Sequence, residues 1–233
     1  MAEKTPGILY VIASPIGNLS DLSPRALATL HEVSDIYCED TRQARKLLSA
    51  FEIQGKALHR CDRITEKSQT PGALEKLLMG QNIAYLSDAG TPGLADPVAY
   101  LTSQCHAHNV KVTGIPGPSC ISLALSMSGF WSQPFTFHGF LDRKKARRLK
   151  ELENILSISH AHVLLESPHR IVSTLEILAS IDPHREVFVA RELTKKFEEY
   201  FRGPSKKVHS EIAVRNPKGE YTVVISERSK GES

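Results

Sequence analysis

Glu, Asp, Ser, Thr and Arg gather in short turns directly behind apolar runs, where a chain can present them to a ligand. "SPIGN" follows "ILYVIA", "EDTR" follows "DIYC" and "SDAGTP" follows "IAYL". Further along, "PGPS" follows "VKVTGI", "ESPHR" follows "HVLL" and "RELT" follows "EVFVA". In open α/β sheets, ligands collect outside the carboxyl ends of the strands. Polar turns repeated at such an edge exceed what mere connection requires, so together they predict a binding cleft. Taken singly, each also has a structural reading. Gly90, Pro92 and Pro97 shape a turn, Ser119 caps a helix, Asp40 pairs with Arg42 on the surface, and Glu166 caps the helix near Pro168.

Several common chemistries lack their residues. No G-x-G-x-x-G follows the first apolar run, and G-x-x-x-x-G-K-[ST] is absent, so the usual dinucleotide and nucleoside-triphosphate cradles are unsupported. The sequence also lacks a G-x-S-x-G elbow and an H-E-x-x-H pair, which counts against lipase-like hydrolases and zinc proteases. Cysteines at 38, 61, 105 and 120 form no C-x-x-C pair and have no histidine cluster at zinc-ligand spacing. Reduced thiols and no metal are therefore expected.

The elements that must position these turns alternate. "ILYVIA" (8–13) reads as a buried strand. A helix is predicted from Pro24 to about Val33, with Ser23 as N-cap and proline at the first helical position. "DIYCED", "IAYL" and "VKVTGI" read as strands, with "TRQARKLLSAF", "GALEKLLMG" and "PVAYLTSQCHAHN" as helices. That alternation predicts a largely parallel sheet covered on both faces. After "GIPGPS" come a helix over 119–127, a basic segment over 143–156, and the strands "HVLLE", "EVFVA" and "EYTVVIS" separated by helices. Short links there predict mixed strand directions. The fold class is α/β, with two α/β domains in series, 1–115 and 116–233.

The totals fit a soluble globular protein. In 233 residues, 41% are hydrophobic and 24% charged, and the net charge is +3. A charge so near neutrality neither demands nor excludes nucleic acid, so clustering decides. "RKKARRLK", Arg143 to Lys150, is the clearest cluster. It reads as a solvated helix face or as a phosphate grip. The opening "MAEKTPGILYVIASP" has too short an apolar run for a signal peptide or a membrane span, which predicts a cytoplasmic protein with no membrane partner.

"LYVIASPIGNLSDLSPRAL", "CEDTRQARKLL", "SDAGTPGLADP", "IPGPS", "ESPHR" and "ARELTK" occur in this order. In that register the sequence resembles the ribosomal RNA small-subunit methyltransferase I family, within the tetrapyrrole methylase superfamily. The resemblance implies a tetrapyrrole methylase-like fold with S-adenosylmethionine in a cleft between the domains, and a homodimer. It also implies methylation of a cytidine ribose 2′-hydroxyl in small-subunit rRNA. Carried onto this chain, it places the cofactor against Pro15, the turn Ser87, Asp88, Ala89, Gly90 and Thr91, then Leu94 and Ala95, and Ser119 with Cys120. From the second domain it adds Glu166, Arg191, Glu192 and Leu193, with Gly219 and Glu220 as weaker candidates. Gly90 would let the backbone approach a flat adenosine, and Pro92 would stiffen the turn.

Methyl transfer needs positioning and an exit for a proton. Glu39 and Asp40, at a strand's end, could accept or orient the hydroxyl, and Arg42 could hold a phosphate by two parallel hydrogen bonds. Arg143, Lys144, Lys145, Arg147 and Arg148 are the expected RNA contacts. Two other readings stand beside this one: a methylase of a tetrapyrrole or other small molecule, and a ribosome-assembly module that binds RNA without chemistry.

Overall fold

Apolar residues alternate along the first strands so finely that successive side chains must enter different cores. A computed structural model describes residues 5–227. Its contacts divide the chain into units Met1–Ser119 and Cys120–Ser233, a boundary four residues beyond the one read from the glycine and proline cluster.

In the first unit the elements run β1 (Ile8–Ile12), α1 (Pro24–Glu32), β2 (Asp35–Cys38), α2 (Thr41–Ala50), β3 (Ala57–Arg60), α3 (Glu66–Leu78), β4 (Ile83–Leu86), α4 (Ala99–Ala107) and β5 (Lys111–Ile115). The sheet order is β3-β2-β4-β1-β5, and every pairing is parallel. Ile12, Ile36 and Leu86 face a core with Leu30 and Leu48, contributed by α1 and α2. Leu9, Tyr37 and Tyr85 face the other way, into a core with Leu77 and Leu101 from α3 and α4. A sheet buried on both faces explains the near-continuous apolar runs.

Local signals set the helix starts. Ser23 Oγ accepts the Ala26 amide at 3.1 Å, with Pro24 at the first helical position. Asp40 caps α2 by accepting the Arg42 amide at 2.8 Å. Helix α3 begins at Glu66 rather than at Gly72, carrying Pro71 inside it. The proline there forfeits one backbone bond but does not end the helix. Helix α4 has no side-chain cap of its own, because Val98 stands at its N-cap position. Instead Glu66 Oε1 reaches across from α3 and accepts the amides of Val98, Tyr100 and Leu101 at 3.0, 2.9 and 3.2 Å.

The second unit runs α5 (Cys120–Ser128), β6 (Phe135–Phe140), α6 (Lys145–Ser157), β7 (Ala161–Glu166), α7 (Ile171–Ile181), β8 (Glu186–Arg191), β9 (Glu199–Pro204), α8 (Ser205–Ala213) and β10 (Tyr221–Ile225). Its sheet order is β6-β7-β10-β8-β9. Strands β6 and β7 are parallel, while β10 is antiparallel to both β7 and β8, and β8 to β9. The short β8–β9 link makes that pair antiparallel. Leu152, Leu164, Leu175, Leu178, Val189 and Val223 anchor its core.

Candidate active site

Because β1, β2, β4 and β5 are parallel neighbours, their carboxyl ends share one edge, and "SPIGN", "EDTR", "SDAGTP" and "PGPS" meet there. Ser14 and Gly90 exchange backbone bonds, 2.9 Å from the Ser14 amide and 3.1 Å from the Gly90 amide. The Gly90 carbonyl also accepts Ser87 Oγ at 2.8 Å, and Thr91 Oγ1 donates to the Pro118 carbonyl at 3.2 Å. Gly90 has φ +82°, and a Cβ there would lie 3.3 Å from Ile16 Cγ2. The turn itself therefore requires this glycine, quite apart from any ligand. Around it the backbone is open. Ala89 is exposed, and the Ala89 and Thr91 amides have no partner among the described residues. Pro15 is half-buried, Leu94 is 55% exposed, and the Ala95 carbonyl accepts the Arg63 guanidinium. Ser119 closes the first unit and Cys120, half-buried and in no disulfide, opens the second.

Carboxylates converge beside this turn. Glu39 Oε1 accepts the Asp88 amide at 3.3 Å, and Asp88 Oδ1 accepts the Asp40 amide at 3.1 Å. Burial pushes the Glu39 carboxyl up to about 7, and the Asp96 and Asp88 charges add to the rise against the opposing Arg63. Asp88 and Asp96 are themselves raised, chiefly by burial. Asp40 goes the other way. Arg42 grips it with Nε at 3.1 Å from Oδ1 and a terminal nitrogen at 2.7 Å from Oδ2, and this holds its carboxyl far below the usual range. As helix cap and ion-pair partner, Asp40 cannot take up a proton near neutral pH. Of the two carboxylates expected to accept or orient the hydroxyl, this leaves Glu39 as the proton acceptor. Arg42, with its side chain 82% exposed, is folded back onto Asp40.

In the second unit Glu166 takes a structural role, close to the helix-capping one read from the sequence. Only 2% exposed, it accepts the Ser167 amide at 2.8 Å and Thr174 Oγ1 at 2.7 Å, and pairs with Arg170 at 2.8 Å. Its carboxylate is fully engaged in tying the end of β7 to α7. The "RELT" turn is held by charge. Arg191 Nε donates to the Lys218 carbonyl at 2.7 Å, and the same guanidinium pairs with Glu199. Glu192 Oε1 accepts Lys195 Nζ and the Glu220 amide, each at 2.9 Å. Gly219 is small because a Cβ there would lie 2.4 Å from the Glu192 carboxylate. Leu193 is buried in apolar surroundings. Glu192 and Thr194 adopt left-handed φ of 52° and 63°, and the buried Thr194 hydroxyl has no hydrogen-bond partner. Strain and an orphaned hydroxyl in one turn mark a place shaped for something other than stability.

Basic residues divide at α6. Arg143 and Lys144 are exposed, Lys145 pairs with Glu176 at 2.9 Å, and Arg147 with Asp142 at 3.4 Å. Surface pairs of this kind are weak and readily exchanged for a phosphate. Arg148 is different. At 3% exposure it points inward, donating to the Asp142 and Arg143 carbonyls and to Ser173 Oγ at 3.2, 3.3 and 3.0 Å. Buried and engaged, Arg148 is removed from the expected RNA contacts. No group of histidine, cysteine or carboxylate side chains among the described residues could hold a metal ion.

Sequence reasoning passed over Ser14, Arg63 and Asp96. Asp96 stood within the quoted "GLADP", and Ser14 directly behind the first apolar run, but neither spacing announces a side chain converging from another strand.

Comparisons with known proteins show the family and the fold. The family model for tetrapyrrole (corrin/porphyrin) methylases matches residues 8–209. Ribosomal RNA small subunit methyltransferase I of Synechocystis sp. is 41% identical over 221 residues, covering 94% of this chain and 79% of that protein. The Thermotoga maritima protein of the same name is 40% identical, covering 94% and 98%. Among solved structures, the methyltransferase CobJ superposes with a TM-score of 0.68 at 21% identity over 97% of each chain. Uroporphyrin-III C-methyl transferase from Thermus thermophilus, complexed with S-adenyl homocysteine, gives 0.63 at 17% identity, covering 95% of this chain and 97% of that one. At these identities the structures show a shared fold.

Proposed function

We infer, since this chain belongs to the ribosomal RNA small subunit methyltransferase I family of the tetrapyrrole methylases, that it methylates a cytidine ribose 2′-hydroxyl in small-subunit rRNA. S-adenosylmethionine would supply the electrophilic methyl group. The residues present fit such a cofactor. The open amides of Ala89 and Thr91 can bind its polar edges. Gly90 sets the bend that turns those amides outward, while Ser87 and Thr91 lock the bend from within.

The observation that carries the mechanism is Glu39. A ribose hydroxyl is a poor nucleophile at neutral pH, and a carboxylate whose proton affinity is tuned near 7 is suited to accept its proton. Glu39 would take up the proton that the hydroxyl gives up on methylation. Asp88 steadies Glu39 through its amide, and Asp40 in turn holds Asp88. Arg143, Lys144, Lys145 and Arg147 grip phosphates without reading sequence.

We also propose a cytoplasmic homodimer, on the family resemblance. No helix among the described residues is long and apolar enough to cross a membrane. Sedimentation at micromolar concentration should show twice the 25.8 kDa chain. A species of single-chain mass alone would count against the dimer. The decisive experiment is incubation with labelled cofactor and undermethylated small subunits, followed by nucleoside mapping. The expected product is 2′-O-methylcytidine. Methylation only of a tetrapyrrole, or calorimetry showing no cofactor binding, would overturn the reading.

A further inference from the structure

A recess in the first unit lies beside the carboxylates and shares Pro15, Ser87 and Asp88 with the residues expected at the cofactor. It is lined by Ser14, Leu86, Ser87 and Asp88 at the strand ends, by Pro15 and Leu19 from the β1–α1 loop, and by Gln43, Lys46, Leu47 and Ala50 from α2. Ser14 is 1% exposed, and its hydroxyl has no hydrogen-bond partner. Burying a hydroxyl without a partner is costly, so this one points to a ligand group that completes it. Gln43, an exposed residue of α2, also lines the recess, and Asp88 uses only Oδ1 within the chain. Leu19 stands 47% exposed over the recess, an apolar plate without an internal role.

We propose that this recess receives the target nucleobase, turned out of its stack, and that Asp88 selects cytosine over uracil. The proposal rests on the rRNA reading above and deepens it. Apolar side chains on two sides, Pro15 and Leu19 on the loop and Leu47 and Ala50 on α2, with polar groups among them, suit a pocket for a flipped base. A carboxylate accepts a hydrogen bond from the cytosine 4-amino group, and it would face the 4-oxygen of uracil acceptor to acceptor. Ser14 and Gln43 can donate to the ring's remaining acceptors, N3 and O2. Asp88 also touches Glu39 through its amide, so a base held there brings its ribose toward the proton acceptor.

The test uses the whole protein with undermethylated small subunits, wild type or carrying uridine at the mapped target. Gln43 and Ala50 are exposed helix positions, so Gln43→Ala and Ala50→Trp should fold, as unchanged melting will verify. Both should keep S-adenosylmethionine affinity within about twofold by calorimetry while kcat/KM on particles falls roughly tenfold or more. Wild type should prefer cytidine by about ten- to a hundredfold. Asp88→Asn keeps an oxygen for the Asp40 amide but presents a donor, and should bring the two substrates within about threefold. If wild type methylates particles and Ala50→Trp does so equally well, the recess does not hold the base and the inference fails alone. A tenfold loss of cofactor affinity in either recess variant would assign the recess to the cofactor and overturn it too. A wild type inactive on every small-subunit particle would instead overturn the function on which the inference rests.

Discussion

Glu39 trades stability for a usable proton affinity, and both sides of that exchange are measurable. Its folded pKa of about 7 lies above the ordinary 4.5. Between those values the folded protein keeps a proton that the unfolded chain releases, so the Glu39 contribution to stability falls as pH rises through that window. Glu39→Gln should therefore melt higher than wild type at pH 8, by an amount worth about 1 kcal/mol once its half-exposed position is discounted, and equally at pH 4. Activity should move the opposite way. The variant should lose roughly 10²- to 10⁴-fold in kcat, and the wild-type rate should climb with pH up to about 7 and then level. A flat wild-type rate between pH 6 and 8 would remove Glu39 from proton transfer. Gly90 teaches a complementary lesson. Its left-handed φ and the nearby Ile16 mean that Gly90→Val would strain the fold itself, so loss of binding in that variant would not locate the cofactor.

At the scale of elements, α6 separates two fates for cations of one short run. Replacing Arg143 and Lys144 with Ala should weaken RNA binding and flatten the log–log salt slope by about one to two units, leaving melting unchanged. Arg148→Ala should do the reverse, costing about 1–3 kcal/mol of stability through lost buried hydrogen bonds. Calorimetric melting beside salt-titrated binding distinguishes them. On β6 and β7, His138 Nε2 and His162 Nδ1 lie 3.0 Å apart, and burial lowers the His162 pKa to about 4. Below pH 6.5 the unfolded chain takes up a proton that this ring refuses until about pH 4. Its contribution is complete above 6.5 and is lost as pH falls through that interval. Relative to His162→Leu, wild type should lose on the order of 2 kcal/mol between pH 7 and 4.5. The strands invisible to sequence reading were β3, β6 and β9, and each is an edge strand. An edge buries less and need not carry the apolar run that announced β1, β4 or β7. The site was legible where turns follow strands. Arg148 was misread because a lone charged residue does not reveal whether it will be buried with partners.

For the whole molecule, strand order carries a consequence for synthesis. The first unit has all its strands once Ile115 is made. The second cannot close its sheet until β10 arrives, since that strand lies between β7 and β8 and pairs with both. Before residues 221–225 emerge, β6–β7 and β8–β9 are separate ribbons whose inner edges are apolar and unpaired. Such edges are templates for association with other chains. A chain halted at Lys218 should resist limited proteolysis up to about residue 119 and be cut readily beyond it; equal resistance of both parts would contradict this. The nascent second unit is thus the one that calls for protection while it is being translated, and a stalled or truncated message would release a half-finished sheet joined to a finished one.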